Sequence, residues 1–244
     1  MFSQSSEFDA SRYERQLEII QESGQKALSD ASATIVGLGG LGSPAATYLA
    51  AAGLGKLILI DHDKASQSNL NRQFLHWEKD LSRRKTNSAV EKLSQLNSDI
   101  TIETYDVKLT PSSKKDLPES DLIIGSLDNF RARYLVNEYA VEEGIPYIHG
   151  AVEGFEGQLT TIIPGQTPCL RCIFPEKPPD RKEIPVLGTT AGLIGTMMAN
   201  EAIKYITGKG SLAGNELILV DLANNEFERV NIKNDPGCPI CGND

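Results

Sequence analysis

The chain has 244 residues, 40% of them hydrophobic, enough to bury one sizeable core without disulfide staples. Its 24 Lys and Arg against 33 Asp and Glu leave a formal charge of −9, a field that repels nucleic acid and anionic membrane, so neither is an expected partner. No run of about 18 apolar residues is present to span a bilayer, and Met1-Phe2-Ser3-Gln4-Ser5-Ser6-Glu7 lacks the regions of a signal peptide, which places the protein in the cytoplasm as an expectation.

Residues 1–10 are polar and expected to fray. Tyr13, Leu17 and Ile20 recur among charges over 12–27, predicting an amphipathic helix or two short ones; this N-terminal helical segment, 1–30, precedes a single domain over 31–244. Thr34-Ile35-Val36 reads as a strand that runs into Gly37-Leu38-Gly39-Gly40-Leu41-Gly42 and then an Ala-rich helix. Glycines at that spacing let backbone approach a phosphate at a helix N-terminus, and Asp61 closes the next apolar run 19 residues after Gly42, where a carboxylate would meet a ribose hydroxyl. The plainer alternative is that the glycines only let helix and strand pack closely.

A polar stretch then delivers Arg72-Gln73-Phe74 and the basic residues Lys79, Arg83, Arg84 and Lys85 ahead of a helix over 86–96. A triphosphate about to be split needs more cationic clamping than a dinucleotide, so ATP fits better than NAD. These charges could also decorate a solvated helix start, but cations there oppose the macrodipole, which favours an anion nearby. Residues 100–105 alternate as an exposed or edge strand, and 111–118 read as a polar connection. The buried strand 121–127 ends at Asp128-Asn129, ahead of a helix over 130–143 stopped by Gly144. Asp128 therefore stands on the same rim as the glycine loop, where it can position Mg²⁺ or serve as the helix N-cap.

A further strand over 146–150 is followed by 157–163, whose alternation and β-branched content continue the sheet in antiparallel fashion. Cys169-Leu170-Arg171-Cys172 and Cys238-Pro239-Ile240-Cys241 have the spacing of a closed, structural Cys₄ zinc site that would pin the C-terminal tail to mid-chain; a redox role is the alternative. Between the pairs come a proline-rich, charged loop over 174–188, expected to be exposed and mobile, a buried helix over 188–207, and a hairpin of strands 216–221 and 226–232. His62, His76 and His149 show no metal-ligand or nucleophile spacing and read as surface or packing residues. The pattern is α/β: a Rossmann-like, doubly wound, mostly parallel sheet continued by antiparallel C-terminal strands.

Taken together, Arg12-Tyr13-Glu14-Arg15-Gln16, the glycine motif, Asp61-x-Asp63, Asn69-Leu70-Asn71-Arg72-Gln73, Lys85, Asp128-Asn129 and the two Cys-x-x-Cys pairs resemble, in order and over nearly the whole chain, the MoeB/ThiF/HesA family, prokaryotic relatives of ubiquitin-activating enzymes. The resemblance implies a homodimer that uses Mg-ATP to adenylate the C-terminal glycine carboxylate of a small ubiquitin-fold protein, usually a sulfur carrier. It implies Asp61 on the ribose, Gly39 and Gly40 under the phosphates, Asn69, Arg72, Gln73 and Lys85 on the triphosphate, and Asp128 beside Asn129 positioning Mg²⁺, with Asp63 near the nucleotide and Arg15 supplied from the other subunit. Many relatives carry a loop cysteine before the long helix. Here residues 182–188 have none, so the adenylate is expected to pass directly to a separate sulfur donor or other nucleophile. Competing readings keep the adenylation but change the substrate to a peptide or small-molecule carboxylate, or invoke an NAD-dependent oxidoreductase, or a non-catalytic zinc scaffold.

Overall fold

The computed structural model describes residues 10–114, 117–176, 178 and 184–242. A 3₁₀ turn, Ala10–Tyr13, leads into α1, Glu14–Asp30, in which two helical stretches meet at a kink at Gln21 (φ 64°, ψ 172°), the second of the two arrangements expected. Then follow β1 Ser32–Val36, α2 Gly42–Ala52, β2 Lys56–Ile60, α3 Lys85–Leu96, β3 Thr101–Tyr105, β4 Leu122–Gly125, α4 Phe130–Glu143, β5 Tyr147–Glu153, β6 Glu156–Ile162, α5 Leu170–Ile173, α6 Gly188–Thr207, β7 Glu216–Asp221 and β8 Glu226–Asn231.

The strands form one sheet in the order β3-β2-β1-β4-β5-β6-β7-β8. From β3 to β5 the pairs are parallel, and from β5 to β8 antiparallel. The chemistry of the strands explains the division. Ala33-Thr34-Ile35-Val36, Leu57-Ile58-Leu59-Ile60 and Leu122-Ile123-Ile124-Gly125 are buried throughout, as strands covered on both faces must be. One cover holds Leu28, Leu49, Leu93 and Met198 from α1, α2, α3 and α6. The other holds Val136, Tyr139 and Ala140 of α4 with Tyr147, Leu170, Cys169 and Cys238. Strand β8 is exposed along its length, and Gly144 ends α4 in the left-handed region (φ 70°), as expected of its stop.

Two expectations need correction. The loop over 174–188 is not loose at its described C-terminal end: Gly154 N–H donates to Pro185 O at 2.6 Å, and Leu187 N–H and Thr190 Oγ1 donate to Gly154 O, tying it to the β5–β6 turn. Residues 177 and 179–183 of that loop, with 1–9 of the expected frayed start and 115–116 of the polar connection, lie outside the described residues. The helix N-cap after β4 is Asn129, whose side chain accepts from Ala132 N–H at 2.9 Å, and not Asp128.

Candidate functional site

The strand order reverses between β1 and β4, and the loops leaving both strands open on the same rim, where such sheets present a crevice. Gly37 leaves β1 with φ +97°; a Cβ there would come 2.5 Å from Ser126 O, and one on Gly42 would come 1.9 Å from Gly37 O. The loop can fold this tightly against the end of β4 only without side chains at those two positions. The turn carries the chain into α2, and the N–H groups of Gly39 and Gly40 donate to no described residue. A helix N-terminus with such N–H groups is suited to an anion.

Leu38, inside that loop, is held from both sides. Its N–H donates to Asp61 Oδ2 at 2.7 Å, while Asp63 N–H donates to Asp61 Oδ1 at 2.7 Å, so this buried carboxylate fixes the loop and keeps lone pairs for further donors. The Leu38 carbonyl lies 3.0 Å from His76 Nε2, which must donate to it; Ser88 Oγ then donates to His76 Nδ1 at 3.0 Å, and Lys92 Nζ donates to Ser88 Oγ at 2.8 Å. Lys92 also pairs with Asp80, which is fully buried. Burial is the main cause that lowers the His76 pKa below its ordinary 6.5, with Lys85 and Lys92 adding to it. Burial pushes the Asp80 carboxyl up, but hydrogen bonds from Lys92 and Trp77 N–H outweigh it and bring it to about 2. Sequence spacing alone does not reveal His76 as a buried support of the loop, because its partners are far apart in the chain.

The wall beside the loop comes from a 3₁₀ turn, Gln67–Asn69, which Asn69 organises: its Oδ1 accepts from Ser66 N–H, and its carbonyl accepts from Arg72 and Gln73 N–H. This turn brings Gln73 against Gly39, 3.7 Å from where a Cβ would lie, and the Arg72 stem against Gly40. Gln73 is buried and its Oε1 has no hydrogen-bond partner, an arrangement that calls for a bound partner or water. Arg72 donates to Ser68 O and Asn71 Oδ1. Lys85 opens α3 with a buried side chain 3.2 Å from the exposed Asp63. The rest of the basic cluster answers to the protein itself: Arg83 pairs with Asp80 and Glu91, Lys79 with Glu91, and Arg84 with His62 O and Asp106. Lys85, too, has a carboxylate partner in Asp63, so Arg72, with only neutral acceptors, is the one of these cations without an acidic partner among the described residues.

On the opposite wall Asp128 is exposed and accepts from Asn129 Nδ2 at 3.1 Å. One turn on, Arg133 is 5% exposed; its Nε donates to Leu127 O and its guanidinium stacks on Phe130 at 4.9 Å. Arg133 was not singled out in the sequence; its position three residues into α4 was the available signal. It lines a cavity of about 500 Å³ that runs from Phe130 and Phe174 over the open face of β5, β6, β7 and β8. Beneath it, Tyr147 and His149 are buried; burial lowers the His149 pKa well below its ordinary value, so this imidazole is neutral packing.

Arg15 does not join these residues. Tyr13, two residues before it, packs against Gly53 at the C-terminal end of α2, and α2 is about 16 Å long, so Arg15 stands at the far end of that helix from Gly39 and Gly40. Arg15 is exposed and forms no ion pair among the described residues. Away from the crevice, the four cysteines converge, as their spacing predicted: Cys169 and Cys238 Sγ are 3.6 Å apart, Cys172 and Cys241 Sγ 3.4 Å, and all four lie within 4.8 Å of one another. These separations exceed the S–S bond of about 2.05 Å and approach the roughly 3.8 Å edge of a tetrahedron with 2.3 Å metal–sulfur bonds. The donor set fits zinc. Burial pushes the Cys169 thiol up to about 11, so a cation is what would keep it as thiolate. No helix is long and apolar enough to cross a membrane among the described residues.

A family model described as "ThiF family" matches residues 13–240. The chain is 38% identical over 239 residues to the "SAMP-activating enzyme E1" of Haloferax volcanii, covering 95% of this chain and 88% of that one. It is 38% identical over 241 residues to the "Sulfur carrier protein ThiS adenylyltransferase" of Escherichia coli, covering 96% of each. Among solved structures, that of E. coli MccB with ATP superposes with a TM-score of 0.87 at 26% identity, covering 98% of this chain and 76% of that one.

Proposed function

The chain belongs to the ThiF family, and on that premise we propose that it is an ATP-dependent adenylyltransferase that activates the C-terminal Gly-Gly carboxylate of a small ubiquitin-fold sulfur-carrier protein, releasing pyrophosphate. One observation supports the reading: the glycine loop at the β1/β4 switch point keeps the Gly39 and Gly40 N–H groups without a described acceptor, with Gln73 packed beside Gly39 and the Arg72 stem beside Gly40.

In this reading Gly39 and Gly40 lie under the phosphates, and Asp61 accepts from the ribose while it steadies Leu38. Gln73 and Asn69 donate to phosphate oxygens. Arg72 and Lys85 balance the charge that builds on the leaving pyrophosphate, with Asp63 holding the Lys85 ammonium in place. Asp128, held by Asn129, would position Mg²⁺, which supplies further charge neutralisation when bound. No general base is needed, because the attacking carboxylate is ionised at neutral pH. Catalysis is alignment and charge stabilisation.

Three finer proposals follow. The active form is a homodimer in which Arg15 serves the partner's phosphate site, since its own is out of reach. The four cysteines bind a structural zinc. With all four in that cluster and none in 182–188, the carrier leaves as its adenylate for a separate sulfur donor or other nucleophile, without an enzyme thioester. Which pathway the carrier serves, whether molybdopterin, thiamine or tRNA thiolation, follows from the carrier's identity.

ATP–pyrophosphate exchange tests the activity. Exchange that depends on a Gly-Gly-ending carrier supports the reading, exchange driven by a small acid favours the alternative substrate class, and tight NAD binding without exchange rules adenylation out. A DTT-sensitive enzyme–carrier conjugate would remove the thioester-free step.

A further inference from the structure

In the motif Arg12-Tyr13-Glu14-Arg15-Gln16 the exposed Arg15 has a proposed role, but three of its neighbours hold the segment in place. Tyr13 is 4% exposed, and its ring fills the space over Gly53, where a Cβ would come 2.6 Å from both ring and hydroxyl. Its hydroxyl accepts from Asn97 Nδ2 at 2.8 Å. Asn97 Nδ2 also donates to Ala50 O at 2.8 Å, while Gln16 Nε2 and Gln25 Nε2 donate to Ala52 O at 2.9 and 3.0 Å. Arg12 donates to Leu96 O, at the end of α3, at 2.8 Å.

These bonds serve two ends at once. The last turn of any helix leaves carbonyls without intrahelical donors. In α2 that turn is buried at Ala50 and Ala52, and the Asn97, Gln16 and Gln25 side chains supply donors to it. The same bonds set the direction of the segment that carries Arg15. Helix continuity cannot set it, because α1 is interrupted at Gln21 (φ 64°, ψ 172°), a backbone region that is essentially glycine's alone and persists only where its surroundings enforce it. The stretch beyond the kink, whose Gly24 lies against Thr207 of α6, therefore does not dictate where residues 14–20 point. Besides Ile20, which packs in the core, the ties are those of Arg12, Tyr13 and Gln16. α2 thus has the Gly39 and Gly40 N–H groups at one end and the anchored Arg15 segment at the other.

We propose that Tyr13, seated on Gly53 and Asn97 with Gln16 beside it, is the positioning residue for Arg15: it fixes the angle at which that arginine leaves its protomer, so its loss is felt at the partner's phosphate site and not at its own. The inference rests on the adenylation reading and on the reach of Arg15 into the partner's site, and adds the residues that aim it. Tyr13 stays buried in its own protomer and acts through Arg15 by preorganisation, on which stabilisation of developing charge depends.

Tyr13→Phe keeps the ring over Gly53 and removes the hydroxyl to which Asn97 donates. The homodimeric variant should lose roughly tenfold in kcat for carrier-dependent pyrophosphate exchange, with KM for ATP changed by less than about twofold, because the residues proposed to hold the nucleotide are untouched. Mixed dimers, isolated through two different affinity tags, locate the defect. With Tyr13→Phe in one protomer and Asp128→Asn in the other, the site that keeps Asp128 receives Arg15 from a protomer with Tyr13 intact, and exchange should match that of a dimer altered only by one Asp128→Asn. With both substitutions in one protomer, the site that keeps Asp128 receives Arg15 from the altered segment, and the tenfold loss should return. Gln16→Leu, which leaves Gln25 as donor to Ala52 O, is an independent second variant and should show the same dependence on arrangement. Full activity of the Tyr13→Phe homodimer, equal rates in the two arrangements, or the loss appearing in the opposite arrangement each overturns the assignment of Tyr13 alone. No exchange by the unaltered enzyme with any Gly-Gly carrier sinks the activity, and this proposal with it.

Discussion

The two halves of the sheet, which meet at β5, use their strands differently. From β3 to β5 the central strands β2, β1 and β4 are parallel and buried on both faces, so the polar groups of the crevice sit beyond the strand ends, in loops and at the start of α3. From β5 to β8 the strands are antiparallel and covered on one face only, so the strands themselves present side chains to the cavity. The first half gathers loop groups at one rim, and the second lines an open cavity with side chains of the strands themselves. Gly37 and Gly42 leave no room for a Cβ, whereas the open face carries carboxylates at paired positions on four adjacent strands.

The largest effect should come from breaking the clip that ties the end of the antiparallel half to the α4 layer. Cys238→Ser or zinc chelation releases a crosslink closing a 69-residue separation, which by comparison with covalent crosslinks is worth roughly 3–5 kcal/mol. At about 2–4 °C per kcal/mol for a chain of this size, calorimetry should find the melting temperature lower by roughly 10 °C, with zinc content lost in proportion. An unchanged melting temperature in the metal-stripped protein would show that the halves do not need the clip.

Next in size, Asp128→Asn should separate chemistry from stability. Exchange should fall by roughly 10²–10³-fold, as for loss of one electrostatic catalytic group, while thermal melting hardly moves, because Asp128 is exposed and Asn129 provides the helix cap. A variant that melts much earlier would make Asp128 a structural residue instead.

His76→Phe removes the donor to Leu38 O and strands Ser88, a loss of roughly 1–3 kcal/mol for buried groups left unpaired. It should raise KM for ATP more than it lowers kcat, and His76→Gln, which can still donate to Leu38, should restore part of the difference. The pH dependence follows the same residue. Its pKa is lowered on folding, so its contribution is whole above the unfolded value of 6.5 and is lost as pH falls through the folded value, where the unfolded chain takes up the proton more readily. His149 acts in the same direction. Melting temperature should therefore decline below pH 6.5, and less steeply in His76→Gln than in the wild type.

The smallest effect has the opposite sign. Glu226→Gln relieves a cross-strand repulsion with Asp221 and should stabilise the protein without ligand by roughly 0.2–1 kcal/mol, measurable by urea denaturation. Destabilisation would mean that the carboxylate row is held by compensating partners.

What could be read from the sequence was whatever a short spacing encodes. Gly37 and Gly42 announce the strand–turn–helix because both positions must lack side chains, and the two Cys-x-x-Cys pairs announce their cluster because ligand chemistry needs four thiols. Asp61 and Asp128 were legible as strand-end carboxylates. The interior of the site was not. His76 supports Leu38 across 38 residues, Arg83 and Arg84 prove to be neutralised by Asp80, Glu91 and Asp106, and the row from Glu153 to Glu226 exists only through the register of four strands. Charge runs look alike in a sequence whether their partner is a ligand or a neighbouring side chain.

Subunit complementation tests the composite crevice most directly. Arg15→Ala and Asp128→Asn protomers, each inactive alone, are mixed, allowed to exchange subunits, and assayed for carrier-dependent pyrophosphate exchange. Half of the dimers should be mixed, and each mixed dimer has one site with both groups intact, so activity should return to roughly a quarter of the wild-type level. A mixture as inactive as its parents, with subunit exchange demonstrated, would place Arg15 outside the partner's site and contradict the account.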